Sequence, residues 1–207
     1  EGAAVVTPLL NNVFLDEVTG RQVFVKAESL QIGGSFKFRG AYNRICRLSE
    51  QDRAAGVIAW SSGNHAQGVA AAARQAGVRA RIVMPEDAPK VKLAGTRALG
   101  AEVVTYDRYR ESREEIGHAL AQRHGGVIIP PFDDPFVIAG QGTCGAEIFD
   151  QSAHRGAALD ALLVCCGGGG LTAGCALAGE RLSPGTHVYA VEPEGYDDHA
   201  RSLRSGQ

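Results

Sequence analysis

The chain has 207 residues, and 21 Lys+Arg against 23 Asp+Glu leave a formal net charge of −2. That near-balance removes the electrostatic case for a dedicated nucleic-acid or anionic-membrane binder. With 44% hydrophobic and 21% charged residues the composition is that of an ordinary globular chain, and no apolar run approaches the roughly 18 residues of a membrane span. Glu1-Gly2 does not read as the start of a signal peptide. Only glycine departs from average: 27 residues, without collagen period or low complexity, so a local use is expected.

Short β-like runs alternate with helical stretches along the chain. Strands are predicted at Val23–Ala27, Val57–Trp60, Arg81–Met84, Glu102–Thr105, Val127–Ile129, Ala161–Cys165 and His187–Val191. Helices are predicted at Phe36–Leu48, Ala66–Ala76, Lys90–Leu99, Arg110–Arg123, Val137–Phe149 and Leu171–Leu182. Apolar, β-branched strands separated by helices argue for an α/β fold with open, parallel-type sheets covered by helices. Gly77 and Gly100 follow helical runs, where a left-handed cap is wanted. Met84 to Pro89 reads as a turn-rich loop. The prolines at 130, 131 and 135 forbid regular structure and suggest a crossover between two lobes.

The five cysteines, Cys46, Cys144, Cys165, Cys166 and Cys175, are odd in number and lack CxxC spacing. That pattern argues against a disulfide framework and a zinc site, and for reduced, mostly buried thiols in a cytoplasmic protein.

Three local arrangements carry chemistry. Gly33-Gly34-Ser35-Phe36-Lys37-Phe38-Arg39-Gly40 sets Lys37 between two aromatics at a helix start. Apolar surroundings and a positive helix end disfavour an ammonium group and free the amine as a nucleophile, although an isolated lysine of this kind can simply snorkel. Ser61-Ser62-Gly63-Asn64-His65-Ala66-Gln67-Gly68 lies at another strand–helix junction, where its donors suit a carboxylate or merely cap the helix. Gly167-Gly168-Gly169-Gly170 follows the apolar run 162–166 and opens a helix, so backbone N–H groups can converge on an anion. It has neither the P-loop nor the GxGxxG frame, and a flexible turn is the competing reading. A nucleophilic amine, a phosphate cradle and a carboxylate loop are the parts that hold pyridoxal phosphate and present an amino acid to it.

These segments, with Phe132-Asp133-Asp134-Pro135 and Ala139-Gly140-Gln141-Gly142-Thr143, occur in order. In that register the chain resembles the threonine/serine dehydratase and serine racemase branch of the fold-type II, tryptophan-synthase-β-like, pyridoxal phosphate enzymes. The likeness runs from Thr7-Pro8-Leu9 to Val191-Glu192-Pro193-Glu194. It implies a two-lobed enzyme, with residues 1–56 and 132–207 in the large cofactor domain and 57–131 as a small mobile domain.

The resemblance also implies roles. Lys37 matches the lysine that holds the cofactor as a Schiff base and removes the Cα proton. Phe36 packs beside the cofactor ring, Asn64 bonds its 3′-oxygen, and Gly167, Gly168, Gly169 and Gly170 bind its phosphate. Ser61, Ser62, Gly63 and His65 line the substrate-carboxylate site, which Arg113 approaches on closure; a solvated helix face is the other reading of Arg113. Ser62 also matches the acid/base on the opposite cofactor face in racemases. Glu192, Asp198 and the carbonyl of Tyr196 match a site for Mg²⁺, Ca²⁺ or Mn²⁺, or are plain loop groups.

The implied reaction converts L-threonine or L-serine to a 2-oxo acid and ammonia. Serine or hydroxyaspartate racemisation and 3-hydroxyaspartate dehydration are alternatives at the same site. Phe36, Phe38 and His65-Ala66-Gln67 differ from the cysteine-synthase pattern, which disfavours β-replacement. A non-catalytic phosphate-ligand binder would not need Lys37. An amino-acid substrate and a homodimer are the expected partners, with neither nucleic acid nor membrane. Family members run on past Gln207, where the pyridine-nitrogen partner lies, so a C-terminal part is expected to be missing and 1–207 alone to turn over weakly. A sheet ending at His187–Val191 would expose an edge.

Overall fold

The computed structural model describes residues 2–206. In chain order the elements are β1 (Leu9–Asn11), α1 (Val13–Thr19), β2 (Phe24–Lys26), α2 (Lys37–Ile45), α3 (Glu50–Ala55), β3 (Val57–Trp60), α4 (Asn64–Ala76), β4 (Ala80–Pro85), α5 (Lys90–Ala98), β5 (Glu102–Tyr106), α6 (Arg113–His124), β6 (Val127–Ile128), α7 (Pro135–His154), β7 (Ala161–Cys165), α8 (Gly170–Leu182), β8 (His187–Val191) and α9 (Asp198–Ser205). The chain forms two compact units, Glu1–Thr7 with Glu28–Pro131, and Pro8–Ala27 with Phe132–Gln207. The chain passes between them after Thr7 and Ala27, and finally after Pro131, within the proline-rich segment.

The first unit is built on a parallel sheet in the order β5-β4-β3-β6. Strands β3 and β4 are largely apolar on both faces because both are covered, whereas the edge strand β5 exposes Glu102 and Thr105. Val57 and Ala59 belong to the main core with Phe38, Ile45 and the alanines of α4. The intervening Ile58 and Trp60 turn the other way: a Cβ on Gly126 would lie 2.9 Å from Ile58, and one on Gly117 would lie 2.4 Å from the Trp60 ring. Residues 28–56 join this unit because α2 packs on α4, the alanine-rich helix that lets it approach.

The second unit contains the antiparallel β1–β2 pair and the parallel β7–β8 pair, crossed over by α8. Helices α7 and α8 pack closely, and glycine is the reason. A Cβ on Gly174 would meet the Gly142 nitrogen and the Ile138 oxygen at 2.5 Å, so the Ala139–Thr143 motif is where two backbones touch.

Several expectations need correction. The β1–β2 pair is antiparallel rather than parallel, and β1, α1, α3 and α9 lie outside the predicted elements. Strand β4 extends through Pro85 before the turn begins. Helix α6 starts at Arg113, because the Ser112 hydroxyl accepts from Glu115 N at 3.2 Å and caps it there. Cys46 and Cys165 are exposed, whereas Cys144, Cys166 and Cys175 are buried. Leu163, Tyr189 and Val191 of the β7–β8 pair are also exposed.

Candidate active site

In the first unit, Lys37 is the first residue of α2, with Phe36 as its N-cap. Its Nζ donates to the Pro131 carbonyl at 2.7 Å and stands 5.2 Å from the Phe36 ring centre. The backbone of Lys37 is pressed against α4: a Cβ on Gly68 would lie 2.9 Å from the Lys37 carbonyl carbon.

Helix α4 opens with the Ser-Ser-Gly-Asn loop. Ser61 is fixed at the end of β3, its N–H donating to Val83 O at 3.1 Å and its hydroxyl accepting from Gly63 N at 3.1 Å. Ser62 and Asn64 are exposed, and Gly63 is the N-cap without a side-chain bond. The helix end is therefore open to an anion.

His65 is buried, and its Nε2 lies 2.9 Å from the Ile129 carbonyl. A carbonyl only accepts, so Nε2 carries the proton. Burial, with the nearby Lys37 charge, lowers the His65 pKa to about 4 against the support of the Ile129 bond. His65 is neutral at pH 7.

Sequence reasoning missed a lysine at this loop. Lys92, on α5, is half-buried, and its Nζ lies 3.5 Å from where a Gly63 Cβ would stand. The only sequence signal is a cation in a helix following a turn. Arg113 is instead engaged locally, its Nε donating to Glu114 at 2.7 Å from a half-exposed position.

In the second unit, the four glycines lie at the junction of β7 and α8, and Gly168, Gly169 and Gly170 line a cleft of about 850 Å³. Gly169 has φ +80, and a Cβ on Gly168 would fall 2.1 Å from the Phe132 ring. Glycine is thus required at both positions. Thr172 lines the same cleft, and its buried Oγ1 has no hydrogen-bond partner. An orphaned hydroxyl beside a glycine loop at the start of a 13-residue helix fits a phosphate. In the first unit the buried Ser35 Oγ, two residues before Lys37, is likewise unpartnered.

Of the residues matched to an oxygen-only cation set, Asp198 is bonded to Arg201. The Glu192 carboxylate accepts from His199 N and Ala200 N, both at 3.0 Å. Those bonds hold its pKa below the usual range, the His199 backbone bond first.

A family profile described as "Pyridoxal-phosphate dependent enzyme" matches residues 1–207. The chain belongs to this family. It is 52% identical over 206 residues to an L-threo-3-hydroxyaspartate ammonia-lyase of a Pseudomonas species, covering 100% of this chain and 63% of that protein. It is 46% identical over 200 residues to a serine racemase of Schizosaccharomyces pombe, covering 97% and 61%. The structure of the processed form of threonine deaminase isoform 2 from Solanum lycopersicum superposes with a TM-score of 0.92 at 39% identity, covering 99% of this chain and 59% of the other. The chain thus spans about three fifths of the length of the relatives it matches. The fold of this pyridoxal-phosphate dependent family is the expected fold-type II α/β architecture, and the sequence likeness is to its ammonia-lyase and racemase members. Among the described residues no helix is long and apolar enough to cross a membrane.

Proposed function

We propose that this chain forms the greater part of a pyridoxal-phosphate dependent ammonia-lyase that acts on a β-hydroxy amino acid. One observation carries the reading. Lys37 has its amine tethered to the Pro131 carbonyl, beside a neutral histidine, where α2 presses on the helix that begins with the carboxylate loop. When bound, the cofactor supplies a covalent hold on the substrate amine and an electron sink for the Cα carbanion.

The chain's own groups do the rest. Gly167–Gly170 and Thr172 bind the phosphate, while Phe36 and Asn64 orient the ring. The α4 N-terminus, with Ser61, Ser62 and Gly63, holds the substrate carboxylate, and on closure Arg113 exchanges Glu114 for it. Lys37 Nζ takes the Cα proton. Uncharged His65 keeps the Ile129–Pro131 segment in place without adding a competing acid. Residues 57–131 form the part that moves, and 1–56 with 132–207 the part that binds the cofactor, with 28–56, which pack with 57–131 in the first compact unit, carrying Lys37. The oxygen-only cation set has no step assigned to it. The cysteines, none in a disulfide, suit a reducing cytoplasm.

Lys92 adds a second positive centre at the loop, which suits a dicarboxylate, and the Pseudomonas relative is named for 3-hydroxyaspartate. L-threo-3-hydroxyaspartate therefore ranks ahead of L-threonine and L-serine. The exposed Ser62 supports racemisation as a second activity, since its hydroxyl can deliver a proton from solvent. The test is 2-oxo acid release from the three substrates by the full-length, cofactor-loaded protein, with chiral analysis of the remaining substrate. Lys37→Ala should abolish both product and the visible absorption of bound cofactor. Unchanged product formation in that variant would refute the assignment.

A further inference from the structure

The wall of the tetraglycine cleft carries a second cluster. We propose that Cys166, Glu192 and His199 form a binding site for a thiophilic divalent cation of the zinc class. Their donor atoms all lie within 4.8 Å of one another, and His199 Nδ1 is 3.1 Å from Glu192 Oε1. Donors on one tetrahedral zinc ion stand roughly 3–4 Å apart, so small side-chain rotations close the set.

Backbone structure places all three. Strand β7 pairs with β8 in the register Cys165↔Val191, and Cys166 N donates to Val191 O at 2.8 Å. Cys166 thereby comes beside Glu192, the next residue along. Glu192 in turn accepts from the first N–H groups of α9, which brings the His199 ring alongside. Cys166 is buried and the His199 side chain is 42% exposed, so the site is firm on the strand side and accessible on the helix side.

The donor types choose the metal. One sulfur, one imidazole nitrogen and one carboxylate oxygen favour zinc or a similar ion over Mg²⁺ or Ca²⁺, which take oxygen. Three protein donors leave a fourth position for water or an oxygen ligand from the cleft, which Cys166, His199 and Gly168–Gly170 all line. Binding releases the Cys166 proton, since the thiolate is the ligand. The set shares Glu192 with the oxygen-only arrangement, so one ion excludes the other. No CxxC spacing announces it, because Cys166 follows β7, Glu192 follows β8 and His199 lies on α9.

Co²⁺ is the probe. Added to metal-stripped full-length protein, it should give a thiolate-to-cobalt charge-transfer band in the near ultraviolet and intense visible bands of tetrahedral cobalt, both displaced by Zn²⁺. Cys166→Ser should remove the sulfur band, and His199→Ala should weaken binding by roughly tenfold or more. Cys165→Ser and Asp198→Asn should leave the band intact, the latter separating this site from an oxygen-only one. Absence of a sulfur band at saturating Co²⁺, or its survival in Cys166→Ser, overturns the proposal. His199 is half-exposed, so its variant decides the matter even if Cys166→Ser folds poorly.

Discussion

Lys37 and His65 are anchored two residues apart on one short strip of backbone: Nζ donates to Pro131 O and Nε2 to Ile129 O. The strip follows β6 and holds Pro130 and Pro131, whose fixed φ keeps its carbonyls in place. One rigid segment thereby sets the position of both the amine and the buried imidazole.

The His65 environment makes stability depend on pH. Its folded pKa is about 4 against an ordinary 6.5, so between those values the unfolded chain binds more protons. The contribution is complete above pH 6.5, declines as pH falls, and is gone below about 4. Its ceiling is about 3 kcal/mol. Denaturant unfolding across this window should show a steeper pH slope for the parent than for His65→Gln, which keeps a donor for Ile129 but cannot titrate. Equal slopes would mean that the imidazole titrates normally.

Gly68→Ala tests the approach of α2 to α4. The added Cβ would meet the Lys37 carbonyl carbon at 2.9 Å and Phe38 N at 3.0 Å, both backbone atoms that cannot swing aside. A loss of about 1–3 kcal/mol is expected, with a displaced Lys37 and reduced turnover. Parent-like melting and kcat would show that the helices have room to spare.

Thr172→Val should have effects of opposite sign. Removing a buried hydroxyl without a partner relieves its desolvation penalty, so the cofactor-free protein should gain on the order of 1 kcal/mol. The same change removes a donor to a charged phosphate and should weaken pyridoxal phosphate binding about tenfold. Paired unfolding curves and cofactor titrations check this; a variant less stable without cofactor would show that the hydroxyl is already satisfied.

Legibility follows the range of the interactions involved. Strands β3, β7 and β8 keep their predicted bounds because each is a compact apolar run, and Lys37 and the tetraglycine loop are local motifs. Helix α1 carries an Asn12 cap and a left-handed Gly20, yet it has seven residues and no buried side chain, so no hydrophobic period marks it. Helix α9 depends on Glu192, seven residues before His199, to satisfy its first N–H groups. Lys92 and Thr172 have ordinary helix-surface spacing. Only folding shows that one reaches Gly63 and the other faces the phosphate cleft.

Lys92→Met separates substrate choice from catalysis. Its Nζ lies at the Gly63 turn, where the exposed N-terminus of α4 already supplies one positive centre for the carboxylate common to every amino acid. A second cation there matters most for a substrate with a second carboxylate. Methionine keeps an unbranched stem of similar length and removes the charge. The expected result is a rise in KM for L-threo-3-hydroxyaspartate of roughly tenfold, one charge-assisted contact, with a much smaller change for L-serine. Cofactor absorption should be untouched, since Lys37 is not disturbed. An equal loss for both substrates would instead make Lys92 part of the general carboxylate site, and no loss for either would leave it a surface group of α5.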